Sequence, residues 1–191
     1  MLNKAISHVA AVVLMGTAAL AHADTVTNTT GIAAPSSIIT FSEVALTPGD
    51  TITNQYASFG ATFSPFAVFR PYDGIYATDY IGNFGATAKP YATANPFTIS
   101  FGQVVVGAAF DFITAPGTST FEAMLGASVI ESFSAATGFA PGTFYGFQNI
   151  FFDSIRVSVG GSNYHMEMDN LQIAAIPEPE IYAMLGIGLG L

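Results

Sequence analysis

Apolar residues in this chain recur at every second position, in short runs broken by glycine, proline, asparagine and serine. In Phe97-Thr-Ile-Ser-Phe101, Phe97, Ile99 and Phe101 share one face and Thr98 and Ser100 the other. A strand alternates its side chains with period two, whereas a helix repeats every 3.6 residues, so this spacing predicts β-strands. The same period is carried by Val104, Val106, Ala108, Phe110 and Phe112, by Phe121, Ala123 and Leu125, and by Ile155, Val157 and Val159. No long run away from the termini has a helical period. Short alternating strands separated by turn residues predict an all-β fold, an antiparallel β-sandwich of jelly-roll type, over residues 38–175. Ile38-Ile-Thr-Phe41 is the expected first strand, after a Thr/Asn/Ala/Pro-rich flexible lead-in over 24–37.

The last expected strand, Tyr164 to Ala174, changes phase. Tyr164, Met166 and Met168 stand at even positions, and Leu171 and Ile173 at odd ones. A strand exchanges its faces this way only through a bulge, here expected at Asp169-Asn170. Residues 65–95, rich in Pro, Gly, Tyr and Phe, read as long loops along one edge.

Both termini depart from this pattern. Lys4, the apolar stretch Ala10 to Leu20 and the triplet Ala21-His22-Ala23 read as a signal helix over 1–23, cleaved to leave Asp24 first. At the other end, Pro177-Glu178-Pro179 stops any preceding strand, because proline fixes φ and donates no ladder hydrogen bond. The uncharged run Ile181 to Leu191 follows, 11 residues long against the roughly 20 that span a bilayer.

Composition narrows the partners. The chain has 4 Lys+Arg against 13 Asp+Glu, a net charge of −9, and no cysteine. Nucleic acid and anionic lipid both demand a basic face, so neither is an expected partner. Without disulfides, a secreted domain rests on its core or on a bound metal.

Pro177-Glu178-Pro179 with the apolar run behind it resembles the PEP-CTERM sorting tail of secreted bacterial proteins, in which a basic cluster follows the helix. The body resembles that class too, in Ile39-Thr-Phe41, Gly49-Asp-Thr-Ile-Thr-Asn-Gln-Tyr56, Gly60-Ala-Thr-Phe63, Phe144-Tyr-Gly-Phe147 and Met168-Asp-Asn-Leu171. The resemblance implies a sorting tail over 176–191, recognised by an exosortase-type processing enzyme and transiently held in the inner membrane. It implies a Gram-negative host that makes extracellular polysaccharide, and a non-enzymatic protein of the cell envelope or extracellular matrix. The tail departs from the family in its half-length helix and missing basic residues, so a truncated or decayed anchor is expected.

Three chemistries are open to the body. Calcium takes six to eight oxygen ligands. Glu43, after the first strand, and Asp169, at the bulge of the last, meet if those strands are neighbours. Their placement resembles the structural calcium site of carbohydrate-binding jelly rolls, with Asp50 and the Asn170 carbonyl as weaker ligands. A glycan site is the second, with Tyr72 and Tyr76, joined by Tyr80 and Tyr91, stacking on sugar rings while Asp73, Asp79 and Asn83 accept from hydroxyls. Asp73 and Asp79 as acid and base of a polysaccharide hydrolase are the third. Against them stand plain solvation of Glu43, capping of the bulge by Asp169, and tyrosines packed over the sheet edge. His165, alone on an outward strand position, and Gly160-Gly161, without a helix behind, carry neither a triad nor a phosphate loop.

Overall fold

The structure is a computed structural model and describes residues 24–70, 79–82, 93–161 and 166–176. Nearly all of it is antiparallel β-sheet, and among the described residues the one helical turn is a 3-10 turn at Ala57–Phe59. In chain order the strands are β1 Asp24–Asn28, β2 Ser37–Ile39, β3 Thr51–Ile52, β4 Ala61–Ser64, β5 Ala67–Arg70 and β6 Tyr80–Gly82. There follow β7 Phe97–Thr114, β8 Gly117–Leu125, β9 Ser128–Thr137, β10 Phe144–Ser158 and β11 Met166–Ala175. They lie side by side as β3-β5-β6-β11-β7-β10-β8-β9, with β1 added to β10, β2 to β11 and β4 to β7.

Two long strands organise everything else. A straight strand the length of β7 would run about 60 Å. A domain of about 150 residues has a radius of gyration of only about 15 Å. The strand must therefore bend to stay over one core, and bulges allow it. The β7–β10 register shifts between Gln148 and Phe152 and again between Phe152 and Ser154, beside Asn149 at φ 62. Across this bend the partners change. Thr98–Phe101 of β7 takes β4, while Val105–Thr114 takes β11. Likewise Phe144–Gln148 of β10 takes β1, while Ser154–Ser158 takes β8.

The bend moves the core face of β7 from odd to even positions. Phe97, Ile99, Phe101 and Val105 enter the core first, then Ala108, Phe110 and Phe112, all in one cluster with Phe121, Phe147, Phe152 and Met168. The expected alternation from Val104 through Phe112 is therefore corrected: it holds from Ala108 on, and Val104 and Val106 are only half-buried. Leu125 likewise leaves the expected core face and is 43% exposed at the end of β8, where the hairpin turns.

The stretch 24–37, expected to be a flexible lead-in, holds β1 instead. Its Thr-Val-Thr centre suits a strand, and Thr25, Val26 and Thr27 pair with Phe147, Gly146 and Tyr145. The loop beyond is tied down as well. Asn28 Oδ1 accepts from the backbone N–H groups of Thr30 and Gly31, and Gln172 Oε1 accepts from that of Ile32. Backbone that finds such partners stays ordered whatever its composition. The strand expected over Ile38–Phe41 is β2, which ends earlier because Phe41 turns to φ 61.

The bulge in β11 lies where the phase slip placed it. Asp169 pairs with Asp111, the next registered pair is Gln172 with Ala109, and Asn170 sits at φ 50. Met166, Met168, Leu171 and Ile173 thereby all reach the core. β2 pairs with β11, so the early and late strands are neighbours as expected. The signal and tail helices expected at the termini lie outside the described residues. Among those described, no helix is long and apolar enough to cross a membrane.

Candidate functional site

Tyr56 explains why the Gly49–Tyr56 segment matters locally. Its ring packs edge-on against Phe41 at 5.1 Å, and its hydroxyl donates to the Phe41 carbonyl at 2.5 Å. Burial pushes the phenol above its ordinary pKa, and the negative charges of Glu43 and Asp79 push it further. Glu43 and Asp79, expected in two separate sites, thus stand around one tyrosine. Glu43 is exposed, and its Oε1 accepts from the Thr40 N–H at 2.7 Å and the Thr40 hydroxyl at 3.0 Å. The Asp79 N–H donates to Ser42 Oγ at 3.3 Å. Asp50 Oδ2 accepts from the Thr47 N–H, which makes it a turn residue.

Asp169 is 1% exposed, on the face of β11 opposite Met166 and Met168. Its Oδ1 accepts from the Asn170 N–H at 2.6 Å and its Oδ2 from Asn170 Nδ2 at 3.1 Å, so the carboxylate caps its own bulge. Asp111 is its cross-strand partner, and Glu167 lies two positions earlier on the same face. Glu167 is fully buried and Asp111 is 5% exposed. Both oxygens of Asp111 accept from the Gly142 N–H, at 2.9 and 3.0 Å. Burial still raises its pKa, and the amides of Gly142, Phe112 and Thr143 offset part of that rise.

Nothing local in the sequence marks Asp111 and Glu167 as buried. An acid alternating with Phe110 and Phe112, or with Met166 and Met168, looks like an ordinary solvent-facing strand position. Only the stacking of further chain over that face of the sheet buries them. The signal available was the spacing itself: three acids fall on the face of two strands opposite Phe110, Phe112, Met166 and Met168.

Of the expected calcium ligands, Glu43 and Asp169 are therefore each engaged in local hydrogen bonds. Among the described residues no group of three or more His, Cys, Asp or Glu side chains is arranged to hold a metal ion. Asp24, the expected first mature residue, opens β1, and its Oδ2 accepts from Asn149 Nδ2 at 2.6 Å. Tyr80, from the expected glycan site, is a buried strand residue packed with Ile113. Tyr72, Asp73, Tyr76, Asn83, Tyr91 and His165 lie outside the described residues, as do Ala21, Ala23, Pro177, Glu178 and Pro179.

No protein-family model matches this chain, and no curated protein or solved structure is similar to it.

Proposed function

We propose that this chain is an exported, non-enzymatic protein of the bacterial cell envelope or extracellular matrix, with a β-sandwich body between two address segments. The observation that carries the reading is where the body's strands stand. β11, the last strand, closes at Ala175, and Ile176 has already left the ladder before Pro177-Glu178-Pro179 begins. A tail-processing enzyme needs chain that is not part of a strand ladder, and the last strand ends ahead of that motif in the sequence. The sandwich reading is supported by the change of partners along β7 and β10, with side chains from both halves entering one core.

In this reading residues 1–23 direct export and are removed, and an exosortase-type enzyme recognises Pro177-Glu178-Pro179. The acidic, cysteine-free body suits a compartment where neither nucleic acid nor a disulfide is required. Expression of the full chain in a Gram-negative host that carries such an enzyme tests it. Mass spectrometry should find Asp24 at the N-terminus, and Glu178→Ala should leave the tail unprocessed. Retention of residues 1–23 on a folded cytoplasmic product, or tail processing indifferent to Glu178→Ala, would overturn the reading.

A further inference from the structure

Away from the acidic face, the 3-10 turn, the start of β2 and the bend of β7 enclose an open groove of about 330 Å³. That volume lies at the small end of small-molecule sites, which run from about 300 to 1,000 Å³. No charged side chain lines it. Phe59 is among the lining residues and is 38% exposed, one of three exposed phenylalanines among the described residues with Phe139 and Phe151, neither of which lines the groove. Around the ring, Ser37, Ser58 and Gln103 contribute two hydroxyls and an amide, none of which has a hydrogen-bond partner among the described residues.

The turn that carries the ring is held before any ligand arrives. The Phe59 N–H donates to the Tyr56 carbonyl at 3.0 Å and the Gly60 N–H to that of Ala57 at 3.1 Å. The Gly102 N–H joins this turn to β7 through the Gly60 carbonyl at 3.3 Å, and Tyr56 is itself anchored on Phe41. A platform fixed in this way loses little further freedom on binding.

We infer that this groove binds a single ring of a neutral sugar. A pyranose offers an apolar C–H face to stack on an aromatic ring and a rim of hydroxyls that both donate and accept. A serine hydroxyl and a glutamine amide answer both functions. The uncharged lining and the acidic protein as a whole disfavour uronic acids and phosphosugars. None of the groove residues named here comes from the Tyr72–Asp79 segment, and the inference does not depend on the export reading. Sugar binding without export, or export without sugar binding, would separate the two.

The experiment titrates the full chain, in a detergent without a sugar headgroup, with glucose, galactose, mannose and N-acetylglucosamine by ligand-observed NMR. A single ring of this size should bind with Kd on the order of millimolar. Phe59→Leu keeps the apolar volume and removes the flat face, and should weaken binding about tenfold. Gly102→Leu supplies an independent block. Gly102 lines the groove and a Cβ there meets nothing within 4 Å, so a larger side chain is added at the groove wall without a clash at its Cβ. It should abolish binding and leave the melting temperature unchanged. Absence of saturable binding to all four sugars, or binding that neither substitution alters, would overturn the inference.

Discussion

Replacing Phe121 with alanine tests whether the bend in β7 and β10 brings all the central strands onto one core. Phe121 is fully buried and belongs to β8, yet its ring meets rings from three other strands. It stacks on Tyr145 of β10 at 5.1 Å and on Phe133 of β9 at 5.0 Å, and lies 6.1 and 5.9 Å from Phe110 and Phe112 of β7. Truncating a buried Phe to Ala costs about 3–5 kcal/mol. Favourable ring pairs add about 0.5–1.5 kcal/mol each beyond burial, and here four are lost together. The expected cost is therefore near the top of that range, about 4–5 kcal/mol, and roughly 8–20 °C in Tm for a domain of this size. Urea unfolding followed by far-ultraviolet circular dichroism and by tyrosine fluorescence measures it, the chain having no tryptophan. The two transitions should coincide, because strands that share one core unfold together. A loss below about 1.5 kcal/mol, well under the usual cost of a buried ring, would refute the shared core. So would two transitions in place of one, with β8 and β9 lost first. Phe121→Leu, which keeps much of the apolar volume, should recover more than half of the loss.

Three further outcomes follow from single residues. Asn170 holds the β11 bulge at φ 50, so Asn170→Gly should be close to neutral, whereas Asn170→Val should cost about 1–2 kcal/mol in urea unfolding. Equal effects of the two would mean that the bulge is not needed. Gly146 lets β10 and β7 approach closely: a Cβ there would lie 2.0 Å from the Ala108 carbonyl oxygen. Gly146→Ala should accordingly cost about 3 kcal/mol or more, read as a fall in the thermal midpoint. Asp111 has a folded-state pKa above its unfolded value, so its charged form opposes folding. Its contribution improves as pH falls through the folded pKa and is lost as pH rises. The stability of Asp111→Asn relative to the wild type should therefore be more favourable at about pH 7 than at about pH 4, and a difference independent of pH would refute the burial argument.

Much of the fold was legible in local patterning. The alternation in Phe97-Thr-Ile-Ser-Phe101 marked the start of β7 because period two has no other reading there, and the even-to-odd slip around Asp169-Asn170 marked a bulge. What the pattern could not give was partnership. Thr25-Val-Thr27 is too short and too polar to declare itself, and becomes a strand only because the edge of β10 offers it hydrogen-bond partners. Tyr56 gave no hint of its bond to Phe41, and neither Phe59 nor Gln103 of the groove is distinctive in a chain rich in Phe and polar residues.

Sequence alone therefore decided the period of most strands, the place of the β11 bulge and the net acidic charge, since these are properties of the chain itself. Tertiary structure alone decided that Asp111, Glu167 and Asp169 are buried, that Glu43 and Asp79 surround one tyrosine, and that an uncharged groove opens beside Phe59. Those facts depend on which distant strands lie side by side, and a pleated chain carries the same alternation whether its second face meets water or more protein.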